Sequence, residues 1–310
     1  MASDYFSIDV GASSLKWGVV TEQMELLDYG EVEGNYATAA ELVRAMAALV
    51  EPRAGEVKGV CVSVPGTVHE DDSQGTVIGG GRLKYLDGVP LAAELSLACG
   101  LPVSVENDGK ACALGEYAAG ALKGSRVGAV IVIGSGIGGG IVVDGHVLRG
   151  AHDFAGEFSF VRHTPIVDGS RSRDAMAGLC SWQGLRRQVL AAKGMPDDET
   201  IDGVQIFEWV NAGDDAALRG LHEYAKDLCT WIFNLQCIVD PDVIAIGGGI
   251  SVQPALLEAL HISMRSMMAD LQMSQMPKPN IVLCRHRGSA KLLGAAYRAR
   301  QRCEEWRRQH

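Results

Sequence analysis

The chain lacks the features of a nucleic-acid-binding or membrane-spanning protein. No run of five Lys or Arg residues occurs, and 38 acidic residues against 28 Lys and Arg give a formal net charge of −10. An acidic chain of this kind does not favour nucleic acid as its main partner. No apolar run approaches the ~18 residues that a membrane helix needs, and no basic segment with a cleavage signal opens the chain. We therefore expect a soluble cytoplasmic protein with no membrane partner.

A disulfide framework or a zinc site built on paired cysteines is also missing. The eight cysteines are scattered, and no two stand in a C-x-x-C spacing. This distribution is typical of reduced core thiols in a cytosolic protein. The 310 residues, 47% of them hydrophobic, are enough for a sizeable core. That length predicts two domains or one large one.

The two standard nucleotide-binding loops are absent as well. No G-x-x-x-x-G-K-[ST] loop occurs. Residues 134–139 formally match G-x-G-x-x-G, but the β-branched run 141–143 follows. That run favours a strand, whereas a dinucleotide-binding fold needs a helix there. What is left is a strand–turn–strand unit over 127–143, whose glycines either bring backbone N–H groups close to a phosphate or simply form a hairpin turn.

A second strand–turn–strand unit covers residues 5–20 and makes a weak internal repeat with 127–143. The repeat predicts two similar domains facing a cleft, each presenting a turn to the same ligand. Asp9, just before Gly11, offers a carboxylate to a hydrated magnesium ion, and the hydroxyls and amides that follow suit phosphate. A third glycine cluster, 247–249, comes directly after a predicted strand. It lets a flat ring approach the backbone, or it is a plain strand–helix turn.

The pair Asn107-Asp108 ends a short predicted strand that begins at Val103, and a helix of small residues follows at once. Strand ends that open into helices are where α/β proteins place reactive side chains. Asp108 is accordingly a candidate general base, but it is equally a candidate helix cap, since Asn and Asp are preferred at that position. Lys16 and Lys110 flank these segments and are expected to be solvated rather than bound to phosphate.

Taken together, these segments resemble the ROK family of sugar kinases and sugar-responsive repressors. The resemblance runs from Ile8 to about Tyr297, and the order and spacing of its pieces are more specific than any one piece. The best-matched pieces are Val64-Pro65-Gly66, Glu106-Asn107-Asp108, Ala113-Leu114-Gly115-Glu116, Gly134 to Gly140, Ala155-Gly156-Glu157, Gly247 to Gly249 and Gly294-Ala295-Ala296.

The resemblance implies an α/β protein with the two-domain actin-like/ribonuclease H-like ATPase fold and a central cleft. Residues 1–115 with about 292–310 would form the small N-terminal domain, and 116–291 the large C-terminal domain. The implied activity is ATP-dependent phosphorylation of a hexose, at the 6-hydroxyl of glucose or of a related sugar or β-glucoside. ATP and magnesium are the implied cofactors, and a homodimer is expected. The family's repressors carry a DNA-binding winged helix before the first phosphate turn, and none is expected here.

The resemblance also implies roles for individual residues. Asp108 would be the general base that accepts the proton of the sugar hydroxyl, and Asp9 would hold magnesium through water. The other residues expected to bind the sugar are Gly66, Asn107, Glu157 and Trp182. The residues expected to bind ATP are Asp9, Gly11, Ser13, Ser14, Gly134, Ser135, Gly136, Gly138, Gly248 and Gly249.

The sequence departs from the family pattern in three places. Ala12 and Ser13 replace a glycine and a threonine of the first turn, which keeps a hydroxyl there. Phe160 stands where the family has a histidine that ligates a structural zinc, and the accompanying cysteine cluster is missing. A zinc site needs about four N or S ligands, and Cys180 with His152 or His163 is too few, so we expect no zinc. Trp182 stands where the family has a sugar-binding glutamate.

The exchange of a polar pair for two aromatic residues predicts a drier and reshaped sugar pocket. Our hypothesis is that it accepts a β-glucoside or another substituted hexose, with an aromatic ring stacked on the sugar or its aglycone. The main alternative is a catalytically silent sugar sensor or regulatory partner, although such a protein needs neither Asp9 nor Asp108. A third reading is an acetate kinase or phosphatase of the same superfamily, which Gly156-Glu157 disfavours.

Overall fold

The computed structural model describes residues 4–162, 175–272 and 275–309. The strands are β1 (Asp4–Val10), β2 (Ser14–Val20), β3 (Leu26–Glu33), β4 (Val57–Val64), β5 (Thr67–Val68), β6 (Thr76–Ile78), β7 (Val89–Pro90), β8 (Val103–Asn107), β9 (Val127–Ile133), β10 (Ile137–Val143), β11 (His146–Val147), β12 (Val243–Gly248) and β13 (Ile281–Leu283). The helices are α1 (Ala39–Val50), α2 (Leu91–Cys99), α3 (Asp108–Ala119), α4 (Met176–Cys180), α5 (Trp182–Ala192), α6 (Gly203–Asn211), α7 (Asp215–Val239), α8 (Pro254–Asp270) and α9 (Ala290–Gln309).

The chain divides into two compact units, neither of which is continuous in sequence. The first consists of residues 1–124, 140–156 and 285–310, and the second of 125–139 and 157–284. The chain passes from the second unit back into the first within β10. The first unit therefore includes residues 140–156, whereas the resemblance implies that they belong to the large C-terminal domain.

A five-stranded sheet in the order β3-β2-β1-β4-β8 forms the centre of the first unit. β1 is antiparallel to β2 and parallel to β4, which is in turn parallel to β8. From Tyr5 to Val10 every residue of β1 is buried, whereas the edge strand β3 has exposed residues along its length. A strand covered on both faces is expected to be mostly apolar; β1 follows this at Tyr5, Phe6, Ile8 and Val10, and Ser7 and Asp9 are its buried polar residues.

Helices cover both faces of that central strand. Phe6 and Ile8 lie in one core cluster with Leu42 of α1, and Tyr5 lies in another with Leu293 of α9. Successive side chains of a strand point to opposite faces, so β1 contributes to both clusters. The first unit also contains the small sheet β5-β6-β7. In addition, Val142 and Val143 at the end of β10 pair antiparallel with β11.

Helix starts in the first unit follow the local chemistry of the sequence. Thr38 caps α1 by accepting from the N–H of Glu41, and the Glu41 carboxylate accepts from the N–H of Ala37. The first bond satisfies an N–H that the helix itself leaves unpaired, and the second ties the residue before the cap to the first turn. α2 ends at Gly100, whose positive φ of 71° is left-handed and favours glycine.

The second unit has a parallel sheet core with helices around it. β12 is parallel to both β9 and β13, with Val243 opposite Gly128 and Ile244 opposite Ile281. β9 is buried almost throughout. Of the helices within the described ranges, none is long and apolar enough to cross a membrane.

Candidate active site

The parallel strands of the first unit bring three polar side chains to one edge of their sheet. Asp9 of β1 is in register with Ser63 of β4, and Ser63 is in register with Glu106 of β8. Asn107 follows Glu106 and ends β8. Because the carboxyl ends of parallel strands meet at the same edge, residues from three distant parts of the sequence lie side by side there. This is the edge at which open α/β sheets bind ligands.

The Asp9 carboxylate is held at this edge by a hydroxyl. Ser63 Oγ donates to Asp9 Oδ1 at 2.8 Å, and Asp9 is only 7% exposed. Burial raises the pKa of the Asp9 carboxyl, although the Lys291 ammonium and the Ser63 hydroxyl both act against that rise. A buried acid with a cation and a hydroxyl donor at hand is typical of a functional site.

At the end of β8 the structure separates the two roles that the sequence left open for Asp108. Asn107 is the helix cap: its Oδ1 accepts from the N–H of Lys110 at 3.0 Å. Its Nδ2 donates to the carbonyl of Gly66 at 2.8 Å, which fixes the side chain at both ends. Asp108 is the first residue of α3, where a carboxylate interacts favourably with the helix dipole. Capping therefore makes no demand on the Asp108 side chain.

Lys291 of α9 contacts both carboxylates, and sequence reasoning missed it. Its Nζ lies 3.0 Å from Asp108 Oδ2 and 3.5 Å from Asp9 Oδ1. Burial by itself lowers the pKa of Lys291, but the carboxylates of Asp108 and Asp9 reverse this effect, and the pKa is raised. The signal that could have found it is a single charged residue in the apolar start of a helix, three residues before the Gly294-Ala295-Ala296 match.

Two glycines bring α3 and α9 close enough for this contact. A Cβ atom on Gly294 would lie 1.7 Å from the carbonyl oxygen of Ala111, and a Cβ on Gly115 would lie 1.9 Å from that of Ala290. Such distances are far inside van der Waals contact, so only glycine fits at either position. The two helices pack backbone to backbone, with the start of α9 at Ala290 against Gly115 of α3 and Gly294 against Ala111.

A buried ion-pair network around Glu106 holds the end of β8 in place. The carboxylate of Glu106 accepts from the N–H of Asn107 at 2.8 Å and pairs with the Arg149 guanidinium. Arg149 also lies 3.3 Å from Glu70 and 3.3 Å from Asp153. The Glu106 and Arg149 side chains are only 2% and 9% exposed. Charges this deep need each other, because an unpaired buried charge is strongly destabilising.

The first predicted phosphate turn is a tight hairpin between β1 and β2. The N–H of Gly11 donates to the carbonyl of Ser14 at 3.0 Å, and Ser13 is exposed. Ser14 Oγ donates to the carboxylate of Glu31 on the neighbouring strand at 2.6 Å. The turn thus has the exposed residues Ala12 and Ser13 on the surface, while the Gly11 N–H and the Ser14 hydroxyl are engaged within the hairpin and the sheet.

The two lysines flanking these segments differ from each other. Lys16 is partly buried and contributes to the electrostatics of Asp9. Lys110 is 1% exposed and is among the largest fully buried side chains. The expectation that Lys110 is solvated is therefore wrong. Its place in the first turn of α3, which packs on the sheet and on α9, buries it.

In the second unit the glycine-rich turn joins β9 to β10, as the β-branched run predicted. The N–H of Gly134 donates to the carbonyl of Gly136 at 2.9 Å. Ser159 ties the turn to the segment after Glu157: its Oγ accepts from the N–H of Ile137 and donates to the carbonyl of the same residue. A Cβ on Gly136 would make only an ordinary contact of 3.5 Å, so the backbone is open to a ligand there.

The third glycine cluster ends β12. Gly248 has a φ of +98°, and a Cβ there would lie 2.0 Å from the carbonyl oxygen of Ile133. A Cβ on Gly249 would meet nothing within 4 Å. Gly248 is therefore required by the packing of β12 on β9, and Gly249 leaves open space beside the backbone.

The segment expected to replace the family's zinc motif brings Trp182 next to the glycine turn. The N–H of Trp182 donates to the carbonyl of Gly134 at 3.2 Å, and its ring lies 5.2 Å from the Arg186 guanidinium carbon. Phe160 is 65% exposed. Among the residues that the structure describes, no group of three or more His, Cys, Asp or Glu side chains is placed to hold a metal ion. His163 lies outside those residues.

Comparison with known proteins decides the family. The model of the ROK family matches residues 5–302. This chain belongs to the ROK family. The ROK protein is 30% identical to a β-glucoside kinase of Listeria monocytogenes over 291 residues, covering 94% of this chain and 95% of the relative. It is 29% identical to a glucokinase of Streptomyces coelicolor, covering 95% and 96%.

Solved structures agree with this assignment. A ROK family glucokinase from Streptomyces griseus, crystallised with glucose and AMPPNP, is 28% identical and superimposes with a TM-score of 0.82 over 96% of this chain and 100% of the glucokinase. A ROK hexokinase from Thermus thermophilus superimposes with a TM-score of 0.78 at 25% identity, covering 97% and 99%. The ROK protein accordingly has the actin-like ATPase fold of these kinases, as the resemblance implied.

Proposed function

We propose that this ROK protein transfers the γ-phosphoryl group of ATP to the 6-hydroxyl of glucose or of a related hexose or β-glucoside, with Asp108 as the general base. Its class, an ATP-dependent sugar kinase, follows from the family together with relatives named as β-glucoside kinase and glucokinase. The single observation that supports the role of Asp108 as the base is that Asn107, and not Asp108, caps helix α3. Asn107 caps the helix, and the Asp108 carboxylate is left for chemistry.

The chemistry asks for a carboxylate placed beside an acceptor hydroxyl. As the sugar oxygen attacks the γ-phosphorus, its proton passes to Asp108, the bond from phosphorus to the β–γ bridging oxygen breaks, and ADP leaves with that electron pair. Phosphoryl transfer depends mostly on positioning and charge neutralisation. A base within hydrogen-bond reach of the hydroxyl is therefore the main contribution expected of the protein.

The residues of the first turn suit ATP and magnesium. Asp9 is a hard oxygen ligand of the kind that binds hydrated Mg²⁺, so the donor set fits the ion. When bound, magnesium would neutralise charge on the phosphates. The exposed Ser13 hydroxyl suits phosphate oxygens, and Gly11 and Ser14 of the same turn are our further candidates for binding ATP. In the second unit, the turn of Gly134, Ser135, Gly136 and Gly138 and the residues Gly248 and Gly249 are our candidates for binding ATP.

For the sugar, Asn107 and Gly66 are candidates in the first unit, and Glu157 and Trp182 in the second. The exposed Phe160, three residues after Glu157, favours an acceptor with an apolar substituent. A relative named as a β-glucoside kinase points in the same direction. We therefore propose that a β-glucoside is accepted in addition to glucose.

A sugar panel tests the substrate. ADP formation would be followed with ATP and Mg²⁺ and with glucose, methyl β-glucoside, cellobiose, mannose or N-acetylated hexosamines. We expect turnover of glucose and of at least one β-glucoside, because an aromatic surface tolerates an aglycone. 6-Deoxyglucose is the matched control, since it lacks only the acceptor hydroxyl and should not stimulate ADP formation.

Two results would count against this proposal. Strict use of glucose with no glucoside turnover would remove the substituted-hexose hypothesis and leave the kinase. Sugar-dependent ADP formation with 6-deoxyglucose would show that another hydroxyl is the acceptor. Binding of sugars with no ADP formed from any of them would instead favour the silent sensor.

A further inference from the structure

Lys291 bridges two carboxylates that are far apart in sequence and lie at the same edge of the first unit's sheet. Asp9 is the penultimate residue of β1 and Asp108 begins α3; the Lys291 ammonium lies 3.5 Å from Asp9 and 3.0 Å from Asp108. The Lys291 side chain is 24% exposed, and those of Asp9 and Asp108 are 10% and 30% exposed. Partly buried ion pairs of this kind are screened less than surface pairs.

Each member of the bridge is fixed by a further contact. Ser63 holds Asp9 Oδ1. The cap made by Asn107 fixes the backbone at Asp108. The close backbone packing at Gly294 fixes the position of α9, and with it Lys291, relative to α3. The Lys291 ammonium and the Asp108 carboxylate are consequently both held by packed helices, α9 and α3, and not by a loop.

We propose that Lys291 is a positioning residue for Asp108. It binds Oδ2 and thereby orients the carboxylate so that Oδ1 is the oxygen that accepts the proton of the sugar hydroxyl. This inference rests on the proposed function and deepens it by adding a residue that acts through the base. Restricting a base to one orientation matters, because a misplacement of about 1 Å in a catalytic group can cost about 10²-fold in rate.

The charges distinguish this role from direct binding of phosphate. With both carboxylates ionised, one ammonium between two aspartates leaves a net charge of −1, which does not by itself attract an anion. The lysine is already engaged by two acceptors, at 3.0 and 3.5 Å. An ammonium engaged in this way is suited to holding a carboxylate in place.

The test is the substitution Lys291→Met, which removes the charge and keeps an unbranched side chain. We expect kcat to fall about 10- to 100-fold. The KM values for ATP and for the best sugar of the panel should stay within about 3-fold, because neither ligand is bound by Lys291. Lys291→Gln provides a second neutral variant, and thermal unfolding of each shows that it is folded. Lys226→Met, on an exposed face of α7, is the matched control and should keep wild-type kinetics.

A double-mutant cycle distinguishes a positioning role from a merely structural one, because it measures whether the effect of Lys291 on the rate depends on the Asp108 carboxylate. If Lys291 acts through Asp108, then adding Lys291→Met to Asp108→Asn should change the residual rate by less than about 3-fold. Single-turnover transfer from radiolabelled ATP, followed over hours, measures that residual rate.

Three outcomes would overturn the inference. The first is kcat within 2-fold of wild type in both neutral variants. The second is a loss expressed mainly in the KM for ATP, which would make Lys291 a phosphate ligand. The third is that Lys291→Met lowers the rate of Asp108→Asn by the same factor as it lowers the rate of the wild type. Failure of the proposed function itself is distinguishable, because the wild-type protein would then turn over no sugar.

Discussion

Asp108→Asn should lower kcat for sugar phosphorylation by about 10²- to 10⁴-fold, the range in which general bases contribute. Asparagine keeps the shape of the side chain but cannot accept the proton of the attacking hydroxyl. The Asn107 cap does not depend on Asp108, so α3 should still form and sugar binding should change little. Steady-state kinetics with ATP, Mg²⁺ and the best sugar would measure the loss, and calorimetric titration would measure sugar binding.

The chain offers a matched control at the same position of another helix. Asp215 is the first residue of α7 and follows a capping Asp214, as Asp108 follows Asn107. Asp215→Asn removes an exposed carboxylate that interacts with a helix dipole, at a cost of about 0.3–1 kcal/mol in stability. It should leave kcat unchanged. If Asp108→Asn loses no more activity than this control, Asp108 is not the base.

Gly294→Ala should destabilise the protein although alanine is the better helix former. Replacing a glycine inside a helix by alanine gains about 1 kcal/mol of helix propensity. Against this, the new Cβ would lie 1.7 Å from the carbonyl oxygen of Ala111, which is backbone and cannot rotate away. Overpacking typically costs 1–3 kcal/mol of stability. Because the clash is with a backbone atom, we expect a cost of about 3 kcal/mol here. We expect a net loss of about 2 kcal/mol, seen as a lower midpoint of urea unfolding.

The same substitution should also reduce activity, because moving α9 away from α3 would lengthen the distance from Lys291 to Asp108. Gly55→Ala serves as the control, since a Cβ at Gly55 would meet nothing within 4 Å. That variant should unfold at the wild-type midpoint or slightly above it, as a Gly-to-Ala change reduces the entropy of the unfolded chain. Equal midpoints for the two variants would show that the helices separate without cost.

Much of the framework of this site could be predicted from local patterns. A β-branched run followed by Asn-Asp and small residues predicted a strand that opens into a helix, and β8 and α3 confirm it. The β-branched residues after the second glycine turn predicted β10 in place of a helix. The family and its fold were predicted from the order of weak motifs, and both are confirmed. The homodimer and the lack of a structural zinc stay predictions.

Pairings across long sequence separations could not be predicted. Lys291 contacts Asp108 over 183 residues, and Arg149 pairs with Glu106 over 43. No periodicity or capping rule links such positions, because tertiary packing alone brings them together. The choice between Asn107 and Asp108 as the cap also needed the backbone, since both residue types serve that role equally well.

The place of α9 in the first unit has a consequence for how the protein is made. Its apolar face joins Tyr5, Val20 and Cys61 in one core, yet the whole second unit separates it from them in sequence. At 5–20 residues per second, a ribosome needs roughly 15 to 60 s to reach α9. During that time the nascent β1–β4 sheet leaves one face uncovered, and the pair Asp9 and Asp108 has no ammonium beside it. The ion pair between α3 and α9 can therefore form only after α9 has been synthesised, and a chain interrupted before residue 285 would carry Asp108 but lack Lys291.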